Sequence, residues 1–390
     1  MKKLLYIHNK AIKNPKTGSL NTTLLQVFSM CIAFEKNGYD VILALEGGGS
    51  MPEALDEFIN KSFLQRRHFK LTGWVRMSKI SFLNRLLVIR QITKIVKEVE
   101  PDVIYTREPI NIYPLINKNM PTVFESHDSR LSQRFSIIDK LLKQVVINSS
   151  KKNDFKFLVS ISQSLSDYWA AQGIERNKLL SYHDGFDHML FDKQLTKSEA
   201  RKALGLSEDI SIAVYAGGLY PEREIDQLIS LANNYCDTKI LVIGGPSPNH
   251  VTYQKIASDK GVENIQFIGY IPHNQIPQYL YAADILLALW SKKVPTINYC
   301  SPLKLFEYMA AGRVIVTHNF PTIREVLTPN QDAIFVEPGS LEDLVNAFKI
   351  ALMASKDNWL GINARKKAYE KYTWDKRAEA ILERIDLSLL

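Results

Sequence analysis

Only three cysteines occur in 390 residues, Cys31, Cys236 and Cys300, and no two of them form a CxxC pair. That excludes a disulfide scaffold and a zinc ribbon, and it fits a reducing compartment. No apolar run approaches the roughly eighteen residues that a membrane-crossing helix needs. The start, "MKKLLYIHNK", has an apolar run of four, too short for a signal peptide. Internal repeats and low-complexity tracts are also missing. These absences predict a soluble chain, or at most one that touches a membrane from outside.

Acidic residues are scarce in one region. From Lys61 to Val99 there are ten basic residues and a single acid, Glu98. Phe63, Phe69, Trp74 and Phe82 are interleaved with them, and such a basic, aromatic-bearing amphipathic stretch predicts a surface for anionic lipid or another polyanion. A solvated helix face is the plainer alternative. The net charge of +8 comes from this half of the chain: residues 1–190 hold 27 Lys and Arg against 18 Asp and Glu, the remainder 22 against 23. No nucleic-acid recognition motif accompanies the charge.

The first half alternates apolar runs ("KLLYIH", "DVILAL", "PDVIYT", "TVFESH", "KFLVSIS") with helical or loop residues. After Leu206 the cycle restarts with "ISIAVYAGG", "KILVIGG", "IQFIGY", "ILLAL", "VIVTH" and "AIFVE". Strands alternating with helices predict parallel βαβ units, and continuous apolar runs fit sheets covered on both faces. The polar interval from Asp192 to Asp209 is the expected junction. The fold class is therefore α/β, with two Rossmann-like domains facing across a cleft at the carboxyl ends of their strands.

The segment "SPLKLFEYMAAG" (Ser301–Gly312) carries helix signals: Ser301 as N-cap, Pro302 at the first helical position and Gly312 just past the end. Lys304 in the first turn opposes the helix dipole, at a cost of roughly a few tenths of a kcal/mol. Arg223, near the helix start in "YAGGLYPEREID", is placed in the same way, beside the paired glycines Gly217 and Gly218. Two cations at positive helix ends make sense if an anion sits between them, and a diphosphate fits. Glu307, one turn further in, then suits vicinal hydroxyls such as those of a ribose. The alternatives are solvated surface cations and a Lys304–Glu307 ion pair.

"SPLKLFEYMAAGRVIVTHNFPTIREVL" resembles the donor-site signature of retaining, GT-B-fold glycosyltransferases of glycosyltransferase family 4. "YAGGLYPEREID" resembles that family's "YxGxLxxxKGxD" segment, and "ENIQFIGYIPHNQIPQYLYAADILLAL" its base-binding strand and following helix. "PDVIYTREP", "TVFESHD", "LVSISQSLSDYW" and "LLSYHDGFDHMLF" fit in family order, so the likeness covers nearly the whole chain. It implies an acceptor-side domain over 1–190, a nucleotide-sugar-binding domain over 191–370, and a helix over 371–390 crossing back to the first. The implied donor is a nucleotide-diphosphate sugar. Ser301, Pro302 and Leu303 with Lys304 and Arg223 would hold its diphosphate, and Glu307 its ribose. Backbone near Tyr270 and Ile271 would read the base. His127 would approach the sugar, with Gly18 and Ser19 beneath it and beside the acceptor. His127, Arg223 and Lys304 are thus the implied catalytic residues.

Three departures stand out. Tyr299 occupies the place of a glutamate that usually addresses the transferred sugar, Gly218 that of an arginine, and Gly18-Ser19 replaces a glycine pair. The chain has no Asp-x-Asp pair, so neither a metal nor a cofactor is expected. The resemblance implies a cytoplasmic enzyme, at the inner face of the cell membrane if residues 61–99 touch anionic lipid. It would use a glycan or lipid-linked acceptor in cell-envelope polysaccharide or lipopolysaccharide assembly, and nucleic acid is not an expected partner. A sugar-nucleotide epimerase or hydrolase and a non-catalytic nucleotide-sugar-binding protein are the competing classes.

Overall fold

A computed structural model describes residues 1–9, 22–46, 68–74, 81–116, 120–127, 137–220, 223–245, 248–294 and 296–389. The chain divides into two compact units. The first holds Met1–Asp184, Tyr299–Ser301 and Trp374–Leu390; the second holds Gly185–Asn298 and Pro302–Thr373. The division therefore falls at Asp184 and Gly185, ahead of the polar interval that composition marked. That interval instead contains the helix Lys197–Leu204, started by a capping box between Thr196 and Glu199 and ended by left-handed Gly205. Buried Arg201 ties this helix to the second unit's sheet through Asp284, at 2.6 Å.

The first unit is built on β1 (Lys3–His8), β2 (Asp40–Glu46), β3 (Lys70–Trp74), β4 (Val103–Thr106), β5 (Thr122–Ser126), β6 (Phe155–Ser160) and β7 (Leu179–Ser181). Their order is β3-β2-β1-β4-β5-β6-β7, and every pairing is parallel. Parallel strands need crossover connections, so helices cover the sheet and β1, β2, β4 and β5 are buried almost throughout. The helix Trp374–Leu389 packs on the helix Thr22–Lys36 within this unit.

The basic stretch needs a correction here. Lys70 to Trp74 form a strand, Phe69 stacks on Phe28 with ring centroids 6.3 Å apart, and Trp74 belongs to the core. Both aromatics are buried, so they contribute nothing to an exposed aromatic surface. Arg90, Lys94 and Lys97 do face solvent on the helix Ser81–Val99, with Lys94 3.6 Å from Glu98. Lys61, Phe63, Arg66, Arg67, Arg76 and Lys79, and the side chains of Phe82 and Arg85, lie outside the described residues.

The second unit carries β8 (Ser211–Ala216), β9 (Thr238–Ile243), β10 (Ile265–Gly269), β11 (Ile285–Ala288), β12 (Val314–His318) and β13 (Ile334–Val336), in the order β10-β9-β8-β11-β12-β13 and again all parallel. In both sheets the chain starts in the middle, runs to one edge, then returns to build the other side. The switch falls between β1 and β4 in the first sheet and between β8 and β11 in the second. Crevices at the carboxyl ends of such switch-point strands are where open α/β sheets bind ligands.

Candidate functional site

In the second unit, the carboxyl ends of β8 and β11 meet the start of the helix Leu303–Ala311. The Lys304 ammonium lies 4.1 Å from the ring centre of Tyr215, on β8, and 4.7 Å from that of Trp290, just past β11. Such distances give a cation–π attraction that holds the charge at the switch point. Gly217 lets it lie there: a Cβ on this residue would stand 3.2 Å from Lys304 Nζ and 3.3 Å from the Tyr215 hydroxyl. Gly244, at the end of β9, has φ +110°, and a Cβ there would come within 2.4 Å of the Gly217 carbonyl oxygen. The glycines thus clear backbone space beside the cation. The Gly218 carbonyl accepts a hydrogen bond from the Tyr215 hydroxyl at 3.1 Å.

Arg223 is half-buried, and its charge acts on the same tyrosine. Burial pushes the Tyr215 phenol up to about 12, and Arg223 opposes that rise. Lys304 lies over the Tyr215 ring and the Arg223 charge acts on the same side chain. The helix ends in left-handed Gly312, as expected, but it starts later than its sequence suggests. Pro302 is its cap residue and Leu303 its first member. Ser301 does not cap it: no side chain does, and the Ser301 hydroxyl accepts the Asp184 N–H at 2.8 Å within the first unit.

Glu307 lies one turn beyond Lys304, and its carboxylate is 2.6 Å from His273 Nε2. Burial lowers the basicity of His273, but the Glu307 charge and hydrogen bond outweigh it and the pKa is raised. Tyr270, at the end of β10, is exposed, and Ile271 beside it is partly so. Tyr299 belongs to the first unit. Its ring packs against Tyr168 with centroids 5.9 Å apart and its carbonyl accepts from Ser162, both within the first unit. Gly18 and Ser19 lie outside the described residues.

His127 follows β5 in the first unit, and its Nε2 is bonded to the Glu125 carboxylate, a fully buried group on that strand. Arg377 reaches the same carboxylate at 3.1 Å and Arg107 at 3.8 Å, while Gln26 donates to it at 2.7 Å. Burial resists ionisation of Glu125, yet the Arg377 and Arg107 charges and the His127 hydrogen bond hold its pKa well below the usual range. His127 is pushed down to about 4, by burial first and then by Arg107. It is a neutral imidazole at physiological pH. Burial also lifts Asp184, in the same cluster, to about 7 against the pull of Arg377.

Sequence reasoning did not single out Tyr215, Glu224, His273, Trp290 or His318 in the second unit, nor Glu125, Arg107, Asp184 or Arg377 in the first. Trp290 and His318 stand just past or at the ends of parallel strands, a position the strand pattern itself reveals. Arg377 gives no local signal.

Comparison with known proteins matches residues 196–367 to the family described as Glycosyl transferases group 1. Residues 196–367 are a group 1 glycosyltransferase domain. This domain contains Lys304, Arg223, Glu307 and the whole of the second sheet. Beyond it, the chain is 23% identical over 348 residues to the lipopolysaccharide 1,2-N-acetylglucosaminetransferase of Salmonella typhimurium, covering 84% of this chain and 82% of that protein. An uncharacterized glycosyltransferase of Methanocaldococcus jannaschii is 22% identical over 232 residues, 57% of either chain, so the match spans little more than half of that relative. Among solved structures, HepE from Anabaena in complex with UDP and glucose superposes with a TM-score of 0.73 at 17% identity, over 99% of this chain and 100% of that one. The fold is that of the GT-B glycosyltransferases.

Proposed function

We propose that the chain is a retaining glycosyltransferase that moves a sugar from a nucleotide-diphosphate donor to a glycan or lipid-linked acceptor in cell-envelope polysaccharide or lipopolysaccharide assembly. The observation that carries this reading is the Lys304 ammonium at the β8/β11 switch point of a group 1 domain, with the Arg223 charge acting on the same tyrosine. The Salmonella relative's activity on lipopolysaccharide supports the acceptor class, and the UDP and glucose bound by HepE support the donor class.

Lys304, Arg223 and the backbone at Pro302 and Leu303 take the donor's diphosphate. As the bond from the sugar's anomeric carbon to the phosphate oxygen breaks, negative charge grows on the leaving group. Preorganised donors there lower the barrier; losing a single such donor elsewhere costs about 10²–10³ in rate. The acceptor hydroxyl attacks the same face, and its proton passes to a leaving-group phosphate oxygen, so no enzyme nucleophile is needed. Glu307 accepts from the ribose hydroxyls, the backbone at Tyr270 and Ile271 reads the base, and neutral His127 serves the sugar. No divalent ion takes part.

No helix among the described residues is long and apolar enough to cross a membrane. We place the protein in the cytoplasm, and peripheral contact with anionic lipid, if made, rests on charges such as Arg90, Lys94 and Lys97. NMR of the product made from a sugar donor of known anomeric configuration tests the assignment. Retention, with full activity in EDTA, supports it; inversion or a Mg²⁺ requirement contradicts it.

A further inference from the structure

Glu224 is unusual in two independent ways. Its backbone is left-handed, with φ 54° and ψ 41°, a conformation that costs a residue with a side chain and costs glycine almost nothing. The family pattern "KGxD" has glycine at this position. In addition, its Oε2 is buried without a hydrogen-bond partner. Strain of this kind persists where the surroundings require it, and it gathers at functional sites.

Its surroundings are those of the candidate site. Glu224 Oε2 lies 3.8 Å from Nδ1 of His318, a fully buried residue at the end of β12. The Trp290 N–H donates to that Nδ1 at 3.0 Å, so in the neutral ring Nε2 carries the hydrogen, and it is buried and unpartnered. His318 is pushed down to about 4, by burial first and with Lys304 adding to the fall, so its ring is neutral beside the lysine's field. Ser291, next to Trp290, bonds the Glu224 carboxylate. One site thus offers a carboxylate oxygen and an imidazole nitrogen, both without partners, near the cation assigned to the diphosphate. A buried acceptor without a donor is costly, and hydroxyl groups satisfy acceptors without adding charge.

We propose that Glu224 is a donor-specificity residue whose carboxylate accepts hydrogen bonds from hydroxyls of the transferred sugar. The inference rests on the donor reading above and deepens it. It also accounts for Tyr299: the acid that usually addresses the sugar is missing there, and that ring is packed against Tyr168 in the first unit.

The test uses Glu224→Gln, which keeps the shape, and Glu224→Gly, which also relieves the strained backbone. Calorimetry compares UDP, GDP and ADP with their glucose, galactose, mannose and N-acetylglucosamine conjugates on the full chain. Both variants should bind the nucleoside diphosphate within about twofold of the parent, yet lose at least tenfold in affinity for its preferred sugar conjugate. Glu224→Gly should also melt higher than the parent. Unchanged conjugate affinity in either folded variant, or equal losses for conjugate and bare diphosphate, overturns the proposal while leaving the donor reading intact. A parent that binds none of these nucleotides removes both.

Discussion

A carboxylate–histidine pair in the first unit and one in the second are shifted in opposite directions. In the first, Glu125 meets His127 and the imidazole is held neutral, at about 4. In the second, Glu307 meets His273 at 2.6 Å and the imidazole pKa is raised. Burial disfavours the charged ring in both, so burial does not separate them. The neighbours do. Arg377 and Arg107 crowd Glu125, and Arg107 repels a charged His127. At His273, Glu307 acts together with Asp187, a second carboxylate. The same two residue types thus make a buried network anchored on arginine in one unit and a titratable ion pair one turn from Lys304 in the other.

Breaking the first pair's anchor should have the largest effect. Arg377→Met leaves Glu125 buried without its main counter-charge and should cost about 3–5 kcal/mol of stability in urea unfolding. A loss under about 1 kcal/mol would show that Arg107 and Gln26 suffice. Glu307→Gln acts on the second pair. It should lower the His273 pKa in an NMR titration and weaken nucleotide-donor binding by the worth of a charged hydrogen bond, about 1.5–3 kcal/mol. An unmoved His273 resonance would contradict the pairing.

The smallest effect concerns pH. His127 is depressed from 6.5 to about 4, so the unfolded state binds more protons in that window and stability falls as pH drops through it. Asp184 is raised from 3.8 to about 7, so its contribution is present at low pH and lost as pH rises. The two slopes oppose each other between about 4 and 6.5, each with a ceiling of about 1.4 kcal/mol per pH unit. The parent should therefore unfold at nearly constant temperature across this range, and Asp184→Asn should expose a fall toward acid. An Asp184→Asn profile as flat as the parent's would refute the balance.

How far the sequence carries depends on the range of the interaction. "KLLYIH" reads as a strand and is β1, because parallel strands buried on both faces are continuous apolar runs. "KLTGW" does not read as one; four of its residues are only partly buried or exposed, and it pairs at the sheet's edge. Gly312 announces its helix end locally, whereas the Ser301 signal misleads: no side chain caps the helix, and the Ser301 hydroxyl is engaged by Asp184. Lys304 stood out by opposing its helix dipole. Glu125 and Arg377 are 252 positions apart, and no local pattern joins them.

The most direct test is calorimetric titration of UDP, GDP and ADP into the full chain and into Lys304→Met, with melting temperature as the control for folding. The account predicts that the parent binds at least one of these diphosphates and that Lys304→Met, folded, binds it at least tenfold more weakly. Equal affinity in the two proteins, or no binding by the parent, would contradict it.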